Sequence, residues 1–106
     1  MFEKLAQIRE RYAALRKRLE DPALYADPAQ AARLLKEEKE LQPLMSAFAA
    51  WEKARDDARA AEELSHDPDG ELRALALQEL SDARAEMARR ESQLRLLLLP
   101  RDRDDD

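Results

Sequence analysis

Apolar residues recur along this chain at the spacing of amphipathic helices. In the first segment the steps alternate between three and four residues, through Leu5, Ile8, Tyr12, Leu15 and Leu19. Because positions three and four apart share one face of an α-helix, the pattern predicts a first helix over residues 2 to about 20. The pair Asp21-Pro22 predicts its end, since proline disfavours helical backbone in the residue before it.

A second, longer helix is predicted from residue 28 to about 64. Asp27 is placed as the N-cap, Pro28 lies in the first turn, and Gln30 is placed for the reciprocal contact of a capping box. The apolar positions keep near-heptad steps and are Leu34, Leu41, Leu44, Phe48, Trp51 and Ala58. Pro43 interrupts the pattern, and we expect a kink near residues 39–43 because an interior proline removes one backbone hydrogen bond.

A third helix is predicted from residue 71 to about 98. The segment SHDPDG at residues 65–70 contains the turn-forming residues, including the only glycine, and indicates a tight connection. The apolar face consists of Ala76, Leu80, Ala83, Met87, Leu94 and Leu97, with Leu77 and Leu98 beside it. The predicted fold class is therefore all-α, an elongated antiparallel three-helix bundle of coiled-coil type, with helices about 28, 55 and 42 Å long.

The composition agrees with a helical protein and narrows its function. The chain has 106 residues, of which 41% are charged and 5% aromatic, and its single glycine nearly excludes Gly-rich phosphate loops. A net charge of −5 argues against bulk nucleic-acid binding, and the lack of cysteine excludes disulfides and thiolate metal sites. Without an apolar run of about 20 residues or a leader segment, we expect a cytoplasmic protein that contacts no membrane.

The sequence offers no catalytic, cofactor-binding or metal-binding residue. His66 is the only histidine and is interpreted as a solvated turn residue near the end of the second helix. Adjacent carboxylates point in different directions on a helix, so Asp56-Asp57 and Glu62-Glu63 are interpreted as a solvated face. Phe48 and Trp51 lie one turn apart on the apolar face and are interpreted as core. We therefore expect no enzymatic activity, no cofactor, no metal and no small-molecule ligand.

The first helix carries six basic and three acidic side chains, a local excess of positive charge. One interpretation is contact with RNA phosphates, which would include a ribosomal contact. The other is ion pairing across the bundle, because the basic residues flank the apolar stripe as coiled-coil edge charges do. We favour ion pairing, since no base-stacking aromatic residues alternate with the basic ones.

Four consecutive leucines, residues 96–99, end the third predicted helix before Pro100. Successive helical residues are rotated by about 100°, so the four together cover about 300° and cannot all face one core. A frayed apolar helix end is one explanation. We favour packing of Leu96 or Leu99 against a following domain, with residues 1–100 as a helical domain and residues 101–106 as a charged linker.

Five short segments are spread along the whole chain, in the order MFEKL (1–5), LEDP (19–22), LKE (35–37), LQP (41–43) and LLLP (97–100). Together they resemble the N-terminal helical domain of bacterial class I translation release factors, in the peptide chain release factor 1 family. Members of the family read a stop codon on the ribosome and trigger hydrolysis of peptidyl-tRNA. The resemblance thus implies a role in translation termination.

The resemblance also implies which functions these residues lack and which partners they have. The family hydrolyses peptidyl-tRNA through a Gly-Gly-Gln motif, which a sequence with the single glycine Gly70 does not contain, and it decodes through a proline-any-threonine tripeptide, whereas this sequence has no threonine. The partners implied are the stalk base region of the large ribosomal subunit, the methyltransferase that modifies the catalytic glutamine, and the remaining domains of the parent protein. The alternative function is a stand-alone coiled-coil adaptor that dimerises through its third helix.

Overall fold

The computed structural model describes residues 1–100. It contains three α-helices, α1 (Phe2–Leu19), α2 (Pro28–Leu64) and α3 (Gly70–Leu97), and a 3-10 helix, Pro22–Ala26, between α1 and α2. No β-strand occurs within residues 1–100. The predicted all-α class and three helices are confirmed, and each helix ends within about one residue of the position expected from sequence. The linker expected at residues 101–106 lies outside the described residues.

The chain forms two compact units, Met1–Ser46 and a second unit that begins at Ala47. The long helix α2 contributes its first half to the first unit and its second half to the second unit. Pro43 lies inside α2, where its ring nitrogen cannot donate to the carbonyl of Lys39. The helix nevertheless continues through this position, and the kink near Pro43 stays a prediction.

The first unit pairs α1 antiparallel with the first half of α2. The predicted stripe of α1 is confirmed: Leu5 and Leu15 are buried, and the remaining stripe residues Ile8, Tyr12 and Leu19 are half-buried. Leu24, which lies between the first two predicted helices, is also buried, with 1% of its surface exposed. Burying a leucine side chain stabilises a fold by about 1.5–3 kcal/mol, so the 3-10 helix is part of this core.

Two aspartates order the chain between α1 and α2. The Asp21 carboxylate accepts a hydrogen bond from the backbone N–H of Ala23 at 3.0 Å, and Asp27 accepts one from Gln30 at 3.2 Å. Asp27 is thus the N-cap expected from sequence. The expected capping box is wrong, because the Asp27 N–H donates to the Leu24 carbonyl and the Gln30 side chain accepts from Arg33 instead.

The second unit is an antiparallel hairpin of the second half of α2 with α3, and alanines form the seam between them. On α2 the buried alanines Ala47, Ala54 and Ala61 follow one another at heptad spacing and are at most 3% exposed. Ala76 and Ala83 of α3 are buried with them, as are Phe48, Leu80 and Leu94. Since helix separation depends on the side chains at the contact, small residues at these positions let the two helices approach closely.

The turn at residues 65–69 is held by side-chain hydrogen bonds from the turn itself and from the first turns of α3. Asp69 caps α3 by accepting from the backbone N–H groups of Glu71 at 2.9 Å and Leu72 at 3.5 Å. The Arg73 guanidinium reaches back and donates to the carbonyls of Asp67 and Pro68, both at 2.8 Å. The tight connection expected from the sequence is confirmed.

Candidate protein-binding surfaces

The interior of residues 1–100 holds no buried polar or charged side chain. Within the same residues, no three histidine, cysteine, aspartate or glutamate side chains come together as a metal site would need. In the part of the chain described, none of the helices has the length and apolar character required to span a bilayer.

The structure places His66 and the paired carboxylates where the sequence suggests. His66 lies in the turn after α2 with its side chain 77% exposed, and its Nε2 is 3.7 Å from a carboxylate oxygen of Glu62. Asp56 contacts Arg55 and Asp57 contacts Lys53, so the adjacent carboxylates do point to different neighbours. All these groups are solvated, as expected, and none of them converges on a common point.

The basic residues of α1 form ion pairs and a ring contact. Arg11 donates two hydrogen bonds to the Glu37 carboxylate of α2, at 2.7 and 3.0 Å, and Arg18 donates to Asp21 at 3.0 Å. The hydrogen bonds from Arg11 hold the pKa of Glu37 below its ordinary value and raise the pKa of Arg11. Arg16 lies over the Tyr12 ring, 5.8 Å from its centroid. These contacts support the ion-pairing interpretation of α1.

Phe48 and Trp51 belong to the core of the second unit, as expected. Their ring centroids are 6.4 Å apart, and Phe48 is only 6% exposed. The guanidinium of Arg55 lies over the half-buried Trp51 ring at 5.3 Å, which is a cation–π distance. The Trp51 ring thus has an aromatic neighbour, Phe48, and a cationic one, Arg55.

One side of the hairpin carries an open groove between α2 and α3, here called the acidic groove. Its floor is alanine, with Ala50, Ala54 and Ala83 among the lining residues. Its charged walls consist of Lys53 and Asp57 from α2 and of Glu79, Asp82, Glu86 and Arg90 from α3. Four carboxylates against two cations make this surface acidic above an apolar floor.

Ion pairs within the acidic groove neutralise two of these four carboxylates, Asp57 and Glu86. Lys53 binds Asp57 at 2.9 Å, and Arg90 binds Glu86 at 2.6 Å, with Arg89 as a second partner of that carboxylate. The hydrogen bonds from Arg89 and then from Arg90 lower the pKa of Glu86. Within residues 1–100, Asp82 accepts a hydrogen bond from the side-chain amide of Gln78 at 3.0 Å and pairs with no cation.

Three exposed leucines lie at the turn end of the acidic groove and are here called the tip leucines: Leu64, Leu72 and Leu75. Their exposed fractions are 45%, 43% and 62%. Residues three, four or seven positions apart share one side of a helix. Leu64 therefore lies on the groove side of α2 with Asp57 and Ala60. In the same way, Leu72 and Leu75 lie on the groove side of α3, before Glu79 and Asp82. Large apolar side chains thus adjoin the acidic walls.

The other side of the same hairpin has a different chemistry. It is lined by Arg55, Arg59, Glu62, Glu63, Ala58, Leu80, Arg84 and Met87, so that cations outnumber carboxylates. Arg84 and Glu62 approach to 3.5 Å across it. Leu77, 56% exposed, lies on this side of α3, about 200° around the helix from Leu75.

The leucines at the end of α3 divide between core and solvent. Leu94 is completely buried, Leu98 is half-buried, and Leu96 and Leu99 are 69% and 62% exposed. The expectation that residues 96–99 cannot all face one core is confirmed. Leu97, expected on the apolar face, is 40% exposed.

Sequence reasoning missed the acidic groove and the tip leucines. Leu72 and Leu75 fall at helical positions adjacent to the predicted core face. The helical repeat of apolar residues does not distinguish buried from exposed residues at such positions. A signal was present in the heptad-spaced alanines Ala47, Ala54 and Ala61, which indicate a narrow seam that leaves large residues outside it.

Residues 8–106 match the PCRF domain. The chain is similar to peptide chain release factor 1 of Caldicellulosiruptor bescii, with 36% identity over 107 residues, to that of Acidobacterium capsulatum, with 34% identity over 106 residues, and to that of Syntrophus aciditrophicus, with 36% identity over 106 residues. Each comparison covers all of this chain and 30% of the relative, so the chain spans about a third of the length of these relatives. No solved structure matches significantly.

Proposed function

The chain belongs to the PCRF domain family, and on that premise we propose that it acts in translation termination as the helical, partner-binding module of a class I peptide chain release factor. The observation that carries the proposal is the similarity of the whole chain to peptide chain release factor 1 of three bacteria. The exposed, mixed apolar and charged grooves of the second unit support a binding role, because such surfaces are typical of docking sites rather than of catalysis.

The proposed partners follow from the same resemblance. They are the ribosome, at the stalk base region of the large subunit, the methyltransferase that modifies release-factor glutamine, and the remaining domains of the parent protein. Peptidyl-tRNA hydrolysis and stop-codon reading are assigned to residues outside this sequence, since its 106 residues include one glycine and no threonine. The module accordingly works in the cytoplasm and carries no catalytic step itself.

The proposal is tested with a full-length class I release factor and a variant from which the segment matching this chain is deleted. Peptide release is measured on purified ribosomes halted at a stop codon, over a range of factor concentrations. We expect the deletion to raise the factor concentration needed for half-maximal release while leaving the maximal rate nearly unchanged, because only docking is weakened. Identical concentration dependence of the two proteins would contradict the binding role.

The end of α3 supports the proposed domain boundary near residue 100. Leu96 and Leu99 are exposed at this end of the helix, and we expect a following domain to cover them. Replacing both with serine should destabilise the full-length protein more than the 106-residue chain, as measured by urea unfolding. Equal destabilisation of both proteins would contradict packing of these leucines against another domain.

A second candidate function, a coiled-coil adaptor, is favoured by the same exposed leucines. In that case the chain would dimerise through α3, and replacing Leu96 and Leu99 with serine would convert a dimer into a monomer. Sedimentation equilibrium of the 106-residue chain separates the two functions. A monomer at all concentrations opposes the adaptor.

A further inference from the structure

The tip leucines and the acidic groove form one continuous surface whose two halves differ in polarity. The apolar half lies at the turn end, where Leu64, Leu72 and Leu75 expose between 43% and 62% of their surfaces. Contiguous exposed leucines are a liability in a soluble protein unless a partner covers them. At this end of the hairpin the buried positions are Ala61 and Ala76, and the three leucines lie outside them.

The acidic half of this surface has a surplus of negative charge in its centre. Lys53 and Arg90 are engaged with Asp57 and Glu86. Within residues 1–100, no cation pairs with Glu79 or Asp82, which follow the tip leucines along α3. The two carboxylates are less than one helical turn apart along the axis and lie on the same side of α3.

We propose that this surface binds a basic amphipathic helix of a partner protein. The partner helix would place apolar side chains against the tip leucines and its Lys or Arg side chains along Glu79 and Asp82. Helix-in-groove binding of this kind reads anchors at positions i, i+3, i+4 and i+7, and the alanine floor lets the partner backbone approach closely. Nucleic acid and acidic peptides are disfavoured, because the unpaired carboxylates repel them.

The inference deepens the proposed binding role, and it rests on that role in taking the partner to be a protein of the termination machinery. It specifies that the partner presents a basic amphipathic helix, and this can be tested before the partner is identified. Charge reversal or removal of the apolar contacts should each weaken binding, and added salt should weaken it as well, since exposed ion pairs are screened.

The first experiment uses the 106-residue chain and a synthetic probe. The probe is a helical peptide of about 18 residues, or roughly five turns, with leucine on one face and lysine on the other. A matched peptide with glutamate in place of lysine is the control. We expect the backbone amide signals of the acidic groove and of the tip leucines to shift on addition of the basic probe in NMR titrations, and not on addition of the acidic one.

The second experiment uses two matched pairs of variants. Glu79→Lys with Asp82→Lys should weaken binding of the basic probe at least about tenfold, on the order of 1.4 kcal/mol. The control is Glu63→Lys with Glu91→Lys, which makes the same change of charge on the other side of the hairpin and should leave the affinity nearly unchanged. Leu75→Ser should weaken binding, whereas Leu77→Ser, on the other side of α3, should not.

Three results would overturn the inference. The first is failure of the basic probe to bind at millimolar concentration, and the second is equal weakening by both charge reversals, which would show only general attraction to an acidic protein. The third is a concentration-dependent dimer that Leu75→Ser abolishes, which would make a second copy of the chain the occupant. Circular dichroism of each variant verifies that the helices are intact.

The inference and the proposed function can fail separately. Loss of probe binding is judged on the isolated chain, whereas the role in termination is judged by deletion from a full-length release factor. If the deletion leaves peptide release unchanged while the probe binds as expected, the proposed function fails and the groove remains. If the deletion impairs release but the probe does not bind, the inference about the acidic groove is wrong and the proposed function stands.

Discussion

The two units of this protein differ in the side chains that line the contact between their helices. In the first unit Leu5, Leu15 and Leu24 are inside, each at most 2% exposed. In the second unit most of the buried positions between the helices are alanines. Leu80 and Leu94 are buried with them, but leucines such as Leu75 lie outside with more than half of their surface exposed. Buried leucines stabilise the unit that contains them, whereas leucines left outside an alanine seam keep apolar surface available for another molecule.

The strongest test of this comparison is truncation of a buried leucine in the first unit. Leu24→Ala should lower the free energy of unfolding by about 2–5 kcal/mol, because it removes buried methyl groups and leaves a cavity. Urea unfolding followed by far-ultraviolet circular dichroism measures the loss. Leu35→Ala, which truncates a leucine of the same unit that is 47% exposed, is the control and should cost far less. Equal losses would contradict the core described for this unit.

The opposite change tests the alanine seam of the second unit. Ala54→Leu should lower the free energy of unfolding by about 1–3 kcal/mol, since a larger side chain forces the two helices apart. Trp51, the single tryptophan, lies in this unit, so its fluorescence follows the transition. Ala60→Leu adds the same atoms at an exposed position and should change stability by no more than about 0.5 kcal/mol. A seam that accepts leucine at residue 54 without loss is not close-packed.

The turn of the second unit is tested at its helix cap. Asp69→Ala removes the acceptor for the first N–H groups of α3 and should cost about 1 kcal/mol of stability. The midpoint of urea unfolding measures this. Glu63→Ala removes a carboxylate from the exposed surface near the end of α2 and serves as the control. If the two variants unfold alike, the cap does not stabilise α3.

The smallest effect is expected from the ion pair of the first unit. Because the hydrogen bonds from Arg11 lower the pKa of Glu37 in the folded state, the pair stabilises the protein above the unfolded-state pKa, about 4.3. This contribution is lost as the pH falls through the lower folded-state pKa. Wild type should therefore exceed Glu37→Gln in stability at neutral pH, and the difference should vanish in acid.

Stability measured as a function of pH gives this difference, with Glu40→Gln as the matched control. The Glu40 carboxylate is exposed and has no cation partner within residues 1–100. A difference between wild type and Glu37→Gln that persists unchanged in acid would show that the carboxylate acts through its size rather than its charge.

The first unit could be predicted from sequence to a large extent. Its stripe of large apolar residues recurs with the helical period, and period and burial agree along the whole of α1. The burial of Leu24 was not predicted, because a 3-10 helix of five residues is too short to show a repeating pattern of apolar residues. The capping box was predicted wrongly because other groups take its two partners. The Leu24 carbonyl accepts from the Asp27 N–H, and Arg33 donates to the Gln30 side-chain oxygen.

The second unit and its surface could be predicted only in outline. Alanine is both the best helix former and small enough for any environment, so Ala54 and Ala60 look alike in sequence although one is buried and the other exposed. Which leucines of α3 face outwards depends on how its partner helix is rotated, and this is a tertiary property. The acidic groove follows from that rotation and so was not predicted.

The turn that Asp69 and Arg73 hold together has a consequence for the order of folding. The ends of α2 and α3 are joined by five residues, and the contact between Glu62 and Arg84 spans only 22 positions of the chain. Closing so short a loop takes on the order of 100 ns or less once the helices exist. Contacts between residues that are close in the chain also require little loss of loop entropy before the stabilising contacts form. This hairpin is therefore able to form early, as soon as its own residues are available, without waiting for the rest of the protein.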